Sequence, residues 1–219
     1  MEKKNTLIFD LDGTLLNSIE DIAICMNEVL KSLNLKTYEI SEYKYFVGHG
    51  IDILVDNVLK NIGDFSFKDE VSKRFKDLYE DNLHLNTKPY EGICELLDEL
   101  VKMECNLAVL SNKPDDMTKK YVQNIFKDYP FLEIHGQKDD IPKKPHPIAA
   151  INIAKSLNTP CEEIYFVGDT MVDMQTAVNA KMIGIGVLWG FRDEDELMGN
   201  GATFVVKHPL DILNIVNKK

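Results

Sequence analysis

Thr6-Leu7-Ile8-Phe9-Asp10-Leu11-Asp12-Gly13-Thr14 decides how the rest of this chain is read. Its first four residues make a short, nearly continuous apolar run, the pattern expected of a strand buried on both faces of a parallel sheet. The run breaks off at two carboxylates, two positions apart, followed by a glycine. A strand that ends on acids and a turn sets polar groups at the carboxyl edge of a sheet, where open α/β folds bind ligands.

Working outward, Ser18 is a plausible helix N-cap with Asp21 three residues on, and Ile19, Ile22, Ala23, Met26, Val29, Leu30 and Leu33 recur as a helical stripe. Further helices are expected over Ile51 to Ile62 and through Phe67, Val71, Phe75, Leu78 and Leu85, with Gly48-His49-Gly50 breaking the chain before them. Residues 16–86 therefore read as all-helical. Lys88-Pro89-Tyr90-Glu91-Gly92 supplies a turn, and beyond it the pattern alternates. Strands are expected at Asn106 to Leu110, Ile164 to Val167, Ile183 to Val187 and Thr203 to Val205. Helices are expected around Ile93 to Met103, Asp115 to Ile125, Ile148 to Leu157 and Val172 to Ala180. The expected fold is α/β: a Rossmann-like core with a parallel sheet flanked by helices, from residues 1–15 and 87–219, plus an inserted α-helical cap domain over 16–86. The insert leaves the chain at the carboxyl edge of the first strand, so it is a candidate lid.

With 219 residues, 44% hydrophobic and 28% charged, the chain is long enough for one such body and one appendage. A net charge of -11 with scattered Lys and Arg argues against nucleic acid or an anionic membrane as partner. Met1-Glu2-Lys3-Lys4-Asn5 leads into an apolar stretch too short for a signal peptide or a membrane span, so a cytoplasmic protein is expected, monomer or homodimer. Cys25, Cys94, Cys105 and Cys161 form no C-x-x-C pair and read as reduced thiols. Lys143-Lys144 reads by default as a solvated pair, and His84, His146 and Met26 as ordinary surface or packing residues.

Polar residues gather after three of the expected strands: Asp10 and Asp12, then Ser111 and Asn112, then Asp169. In a parallel sheet these ends share one edge. Carboxylates brought together repel, and a bound cation or a proton relieves the repulsion. Oxygen ligands without His or Cys favour Mg²⁺, which takes one or two carboxylates and a phosphate oxygen. Asp173 lies one helical turn behind Asp169 if a helix opens at Thr170, where it can hold a lysine in place. Lys144 sits among Pro142, Pro145 and Pro147, which restrict where its ammonium points.

These residues resemble the motifs of haloacid dehalogenase-type phosphatases: Asp10-Leu11-Asp12-Gly13-Thr14 the nucleophile motif, Ser111-Asn112 the second, Lys144 the third, and Gly168-Asp169-Thr170 with Asp173 the fourth. The resemblance implies that Asp10 attacks phosphorus and that Asp12 serves as acid and then base. It implies Mg²⁺ held by the Asp10 carboxylate, the Asp12 carbonyl and Asp169, with Lys144 and Ser111 on the transferring oxygens. Asn112 and the backbone N–H groups near Gly13 and Thr14 are expected to add donors, and Asp173 to position Lys144 or support the metal. Asp12 also separates the chain from dehalogenases, which lack an acid there. The helical insert and Leu188-Trp189-Gly190-Phe191 resemble the phosphoglycolate phosphatase-like branch, which makes phosphoglycolate the leading substrate among small phosphorylated metabolites. Within that branch Asn17 and Lys181 stand where relatives often carry Asp and Gly. Trp189 reads as a core or rim aromatic, and Gly48, His49 and Gly50 as either a substrate-facing loop or a turn. The alternatives are a sugar phosphomutase resembling β-phosphoglucomutase, a pyrophosphatase or nucleotidase of the same superfamily, and a binding protein without turnover.

Overall fold

The computed structural model describes residues 4–81 and 86–217. Leu85 and His84, and the first three residues of the amino terminus, lie outside them.

The chain opens with β1 (Thr6–Phe9), then β2 (Leu16–Asn17), α1 (Ile19–Ser32), α2 (Ile40–Tyr43), α3 (Ile51–Ile62) and α4 (Lys68–Asp81). β3 (Lys88–Pro89) and α5 (Ile93–Lys102) follow, then β4 (Asn106–Pro114), α6 (Asp115–Ile125), β5 (Phe131–Gln137) and α7 (Ile148–Ser156). The chain continues through β6 (Ile164–Gly168), α8 (Met171–Ala180), β7 (Ile183–Val187), α9 (Glu194–Gly199), β8 (Phe204–Val206) and α10 (Asp211–Val216).

Six parallel strands form one sheet in the order β5-β4-β1-β6-β7-β8, which is the expected α/β architecture. β1 lies between β4 and β6, with Leu7 opposite Leu107 and Tyr165, and Ile8 opposite Ala108 and Phe166. The alternation of side chains along a strand then builds two cores. Leu7, Phe9, Leu107, Val109 and Val167 join one apolar cluster, while Ile8, Ala108, Leu110 and Phe166 join another with Ala150, Ile153 and Ala177 from α7 and α8. Every residue of β1 is fully buried, which is why its sequence runs apolar without alternation. Burying a side chain such as Phe9 contributes about 1.5–3 kcal/mol.

Within this sheet, β5 and β4 differ most from expectation. β5 was not legible because Phe131-Leu132-Glu133-Ile134-His135-Gly136-Gln137 is a half-buried edge strand with no apolar run. The strand expected at Asn106 to Leu110 continues to Pro114, through a register shift against β5 beyond Leu110.

α1 packs against α2 and α4, and α4 against α3. The two ends of this helical group meet where Leu16-Asn17 pairs antiparallel with Lys88-Pro89, a two-stranded neck absent from the all-helical expectation. At the start of α1, Ser18 occupies the N-cap position but makes no cap bond, and its hydroxyl is buried without a partner among the described residues. Its backbone is helical rather than extended, which aims the side chain away from the free N–H groups. Asp21 instead reaches across the neck, accepting from Asn86 N and Nδ2 and from Thr87 N and Oγ1 at 2.6–3.1 Å. On α4 the buried face is Val71, Phe75 and Tyr79, with Phe67 and Leu78 partly buried against the same core, so Tyr79 joins the expected inward series. No helix among the described residues is long and apolar enough to cross a membrane.

Candidate active site

β4, β1 and β6 are neighbours, so the residues after them converge. Asp10 N donates to Val167 O at 2.9 Å, and the chain then coils tightly, with Leu15 N and Leu16 N on Leu11 O and Gly13 N on Leu16 O. Gly13 has φ +94°, and a Cβ there would lie 2.3 Å from Asp169 Oδ2, so a glycine is required on both counts.

Asp169 is fully buried. Thr14 Oγ1 donates to one of its oxygens at 3.0 Å and Phe191 N to the other at 2.9 Å. Trp189 is partly buried and its indole donates to Thr14 O at 2.9 Å, so the Trp189-Gly190-Phe191 segment braces the Asp10 loop and Asp169 together. Gly190 permits this, since a Cβ there would lie 2.4 Å from Asp169 Cβ.

Lys144 is buried, against the default reading of a solvated pair. Its ammonium donates to Asp10 Oδ1 at 2.8 Å and to Asp173 Oδ1 at 2.7 Å. The other Asp173 oxygen accepts from Thr170 N and Oγ1, closing a capping box at the start of α8. Carboxylate oxygens of Asp10, Asp169 and Asp173 lie within 4.8 Å of one another. Burial, with Asp173 and Asp12 nearby and Lys144 opposing, pushes the Asp10 carboxyl up to about 7. Burial and the neighbouring Asp173 and Asp10 hold Asp169 well above the ordinary carboxylate range. Burial disfavours the Lys144 charge, yet Asp10 and Asp173 together raise the ammonium above its usual value. This donor set, oxygen only and crowded with negative charge, fits a hard divalent cation. Asp173 is tied to the Lys144 ammonium and to Thr170, Asp10 to the same ammonium through one oxygen, and Asp169 to Thr14 and Phe191.

The side-chain amide of Asn112 brackets the Lys144 backbone: Oδ1 accepts from Lys144 N at 2.9 Å and Nδ2 donates to Lys144 O at 3.1 Å. Nδ2 also donates to Gly48 O at 3.2 Å. The N–H groups of Gly13 and Thr14 are engaged within their own loop, on Leu16 O and Leu11 O, and so do not point outward as free donors. Ser111 is buried, lines the cavity, and accepts from Lys113 N at 3.2 Å.

Asp10, Asp12 and Ser111 open onto a cavity roofed by Val47, Gly48, Gly50, Ile51, Leu54, Phe75 and Tyr79 of the helical group. Of the Gly48-His49-Gly50 segment, both glycines line the cavity and His49 does not. Burial, aided by Lys143 and Arg192, lowers the His49 proton affinity. Three residues that sequence reasoning missed belong here. Lys113 contacts both oxygens of Asp12, and Tyr79 contacts Lys113. Arg192 ties the core to the roof through Lys44 O and, at 3.3 Å, Val47 O. Only Lys113 carried a legible signal, its place directly after Ser111-Asn112.

A family model described as haloacid dehalogenase-like hydrolase matches residues 7–187. The chain is 30% identical over 211 residues to a phosphoglycolate phosphatase of Aquifex aeolicus, covering 96% of each. It is 31% identical over 189 residues to a phosphoglycolate phosphatase of Pseudomonas syringae pv. tomato, covering 84% of this chain and 70% of that one. A crystal structure from Lactobacillus delbrueckii subsp. bulgaricus, provisionally assigned as a phosphoglycolate phosphatase, superposes with a TM-score of 0.91 at 27% identity over 98% of both chains.

Proposed function

This chain belongs to the haloacid dehalogenase-like hydrolases and is a phosphatase, and from that premise we propose that it hydrolyses a small phosphate monoester, with phosphoglycolate the leading substrate, through an aspartyl-phosphate on Asp10. The observation that carries this reading is the convergence of Asp10, Asp12, Lys144 and Asp169 at one sheet edge, beneath an apolar roof.

In the first step an Asp10 oxygen bonds to phosphorus while the ester bond breaks. Its electron pair passes to the leaving oxygen, which takes a proton from Asp12. Water then attacks phosphorus, Asp12 takes its proton, and Asp10 is released. A carboxylate approaching a phosphate dianion is opposed by roughly 4 kcal/mol per charge pair at 4 Å and an effective dielectric of about 20. Lys144, held by Asp10 and Asp173, offsets part of that on the transferring oxygens, and the Ser111 hydroxyl, which lines the cavity with Asp10, adds a donor. Asp10 and Asp169, with the Asp12 carbonyl, are the groups that would hold Mg²⁺, which when bound supplies the remaining countercharge.

The helical group over 16–86 is a cap domain in this reading, closed on the core by Asn112 at Gly48 O and Arg192 at Lys44 O and Val47 O. Its apolar lining suits a compact leaving group.

The test is phosphate release from phosphoglycolate, pyrophosphate, sugar phosphates and nucleotides, with and without Mg²⁺. Phosphoglycolate is expected to lead, and Asp10→Asn to lower turnover by on the order of 10⁴-fold or more. An Asp10→Asn protein with wild-type turnover would end the case, and an isomerised hexose phosphate without free phosphate would establish the mutase instead.

A further inference from the structure

Lys113 has no part in the mechanism above, yet its ammonium is held from several sides. It lies 3.1 Å from each carboxylate oxygen of Asp12 and donates to Tyr79 Oη at 2.6 Å. It also sits 4.6 Å from the Tyr79 ring centroid and 4.4 Å from that of Tyr121. Its side chain is only 4% exposed, and among the described residues it is the one cation that lines the cavity. The backbone is fixed too, with Lys113 N on Ser111 Oγ and Lys113 O accepting from Thr118 Oγ1. An ammonium seldom sits so far from water without a reason. A charge-assisted contact to both oxygens holds the Asp12 carboxylate in one plane, and each oxygen keeps a second lone pair for another partner.

The partners of this ammonium come from different parts of the molecule. Asp12 follows β1 and Tyr121 lies on α6, both in the core, whereas Tyr79 lies on α4 of the helical group. Removing α4 would take away the only hydroxyl among these contacts and one of the two aromatic faces, and would expose the ammonium to water.

We propose that Lys113 is a positioning residue for the acid–base step: gripped by Tyr79 when the helical group is seated, it aims Asp12 at the leaving oxygen, so that proton transfer is coupled to closure of the cap. This rests on the reading of Asp12 as acid and base given above. It goes beyond that reading by naming the group that holds Asp12 and the contact that makes it depend on the cap.

The consequence falls on one bond. When an alkyl ester such as phosphoglycolate is cleaved, the leaving oxygen must take the Asp12 proton as the P–O bond breaks. When acetyl phosphate is cleaved, the same bonds form and break at phosphorus, but acetate departs as a stable anion and needs no proton. A residue that acts through Asp12 must matter for the first substrate and hardly for the second.

The experiment is rapid-quench single-turnover kinetics of leaving-group release with Mg²⁺ and excess enzyme, comparing phosphoglycolate with acetyl phosphate for wild type, Lys113→Met and Tyr79→Phe. Lys113→Met is expected to slow release from phosphoglycolate on the order of 10²-fold and from acetyl phosphate by no more than about threefold. Tyr79→Phe removes one oxygen while keeping the ring beneath the ammonium, and is expected to show the same bias at about tenfold. It carries the comparison by itself if Lys113→Met does not fold. Equal slowing on both substrates, or no slowing on either, overturns the proposal while leaving the phosphatase reading intact. A wild-type protein inactive on both substrates overturns that reading, and the proposal with it.

Discussion

Asp169 shows at the scale of one residue how tightly the site is specified. It is fully buried, takes a hydrogen bond on each oxygen, and is approached so closely by Gly13 and Gly190 that neither tolerates a Cβ. The Thr14 hydroxyl is the side-chain member of this cradle, and Thr14→Val keeps its shape while removing the donor. A buried carboxylate oxygen left without its partner costs about 1–3 kcal/mol. Loss of a group that orients a metal ligand typically lowers affinity about 10–100-fold. Thr14→Val is therefore expected to bind Mg²⁺ about 10–100-fold more weakly by titration calorimetry; unchanged affinity would show that Asp169 is not a ligand. Legibility differed from side chain to side chain. Asp169 could be read because it ends an apolar run, whereas the engagement of Asn112 with the Lys144 backbone depends on a fold-back of 32 residues.

Two elements carry a stress or a support that single residues explain. α8 ends on Lys181 in the left-handed conformation, φ 59°, with Met182 N on Ala177 O closing the turn. A non-glycine residue in this conformation is strained, and the end of α8 accepts that strain. Lys181→Gly is expected to raise stability by about 0.5–1 kcal/mol, after allowing for the greater freedom of glycine in the unfolded chain, and urea denaturation reads it directly. At the neck, Asp21 gathers donors from Asn86 and Thr87, binding the start of α1 to the segment that returns to the core. Asp21→Ala strands those donors, two of them on backbone nitrogens, and is expected to cost about 2–4 kcal/mol in the same measurement. A loss below about 0.5 kcal/mol would mean that water replaces the carboxylate fully.

At the scale of the molecule, one apolar cluster runs without interruption from the sheet face through Leu7 and Val109 into the helical group at Val29, Leu59 and Phe75. The contact between the helical group and the core therefore has an apolar component as well as the polar ties at Gly48, Tyr79 and Lys44. Charge in the site links the whole fold to pH. Without metal, the folded protein keeps the Asp10 proton up to about 7, whereas an unfolded carboxyl releases it near 3.8. Between those values the folded state binds more protons than the unfolded state, so this group's contribution to stability falls as pH rises. A divalent cation prefers the ionised carboxylate and reverses the loss. The increase in Tm produced by Mg²⁺ is accordingly expected to grow from about pH 5 to about pH 8, and a shift that is flat across that range would place the metal elsewhere.

The sequence by itself determined the alternation of strands and helices, the place where the helical group leaves the sheet, and the acids at the ends of β1 and β6. All of these follow from local periodicity and from which residue comes next along the chain. Only the tertiary structure decided that Lys113 bridges Asp12 and Tyr79, that Asp21 closes the neck instead of capping its helix with Ser18, and that β5 completes the sheet edge. The physical reason is that a buried polar group takes whichever partner the packed chain brings within about 3 Å, and an edge strand is defined by the neighbour it pairs with, so neither leaves a periodic trace in its own segment.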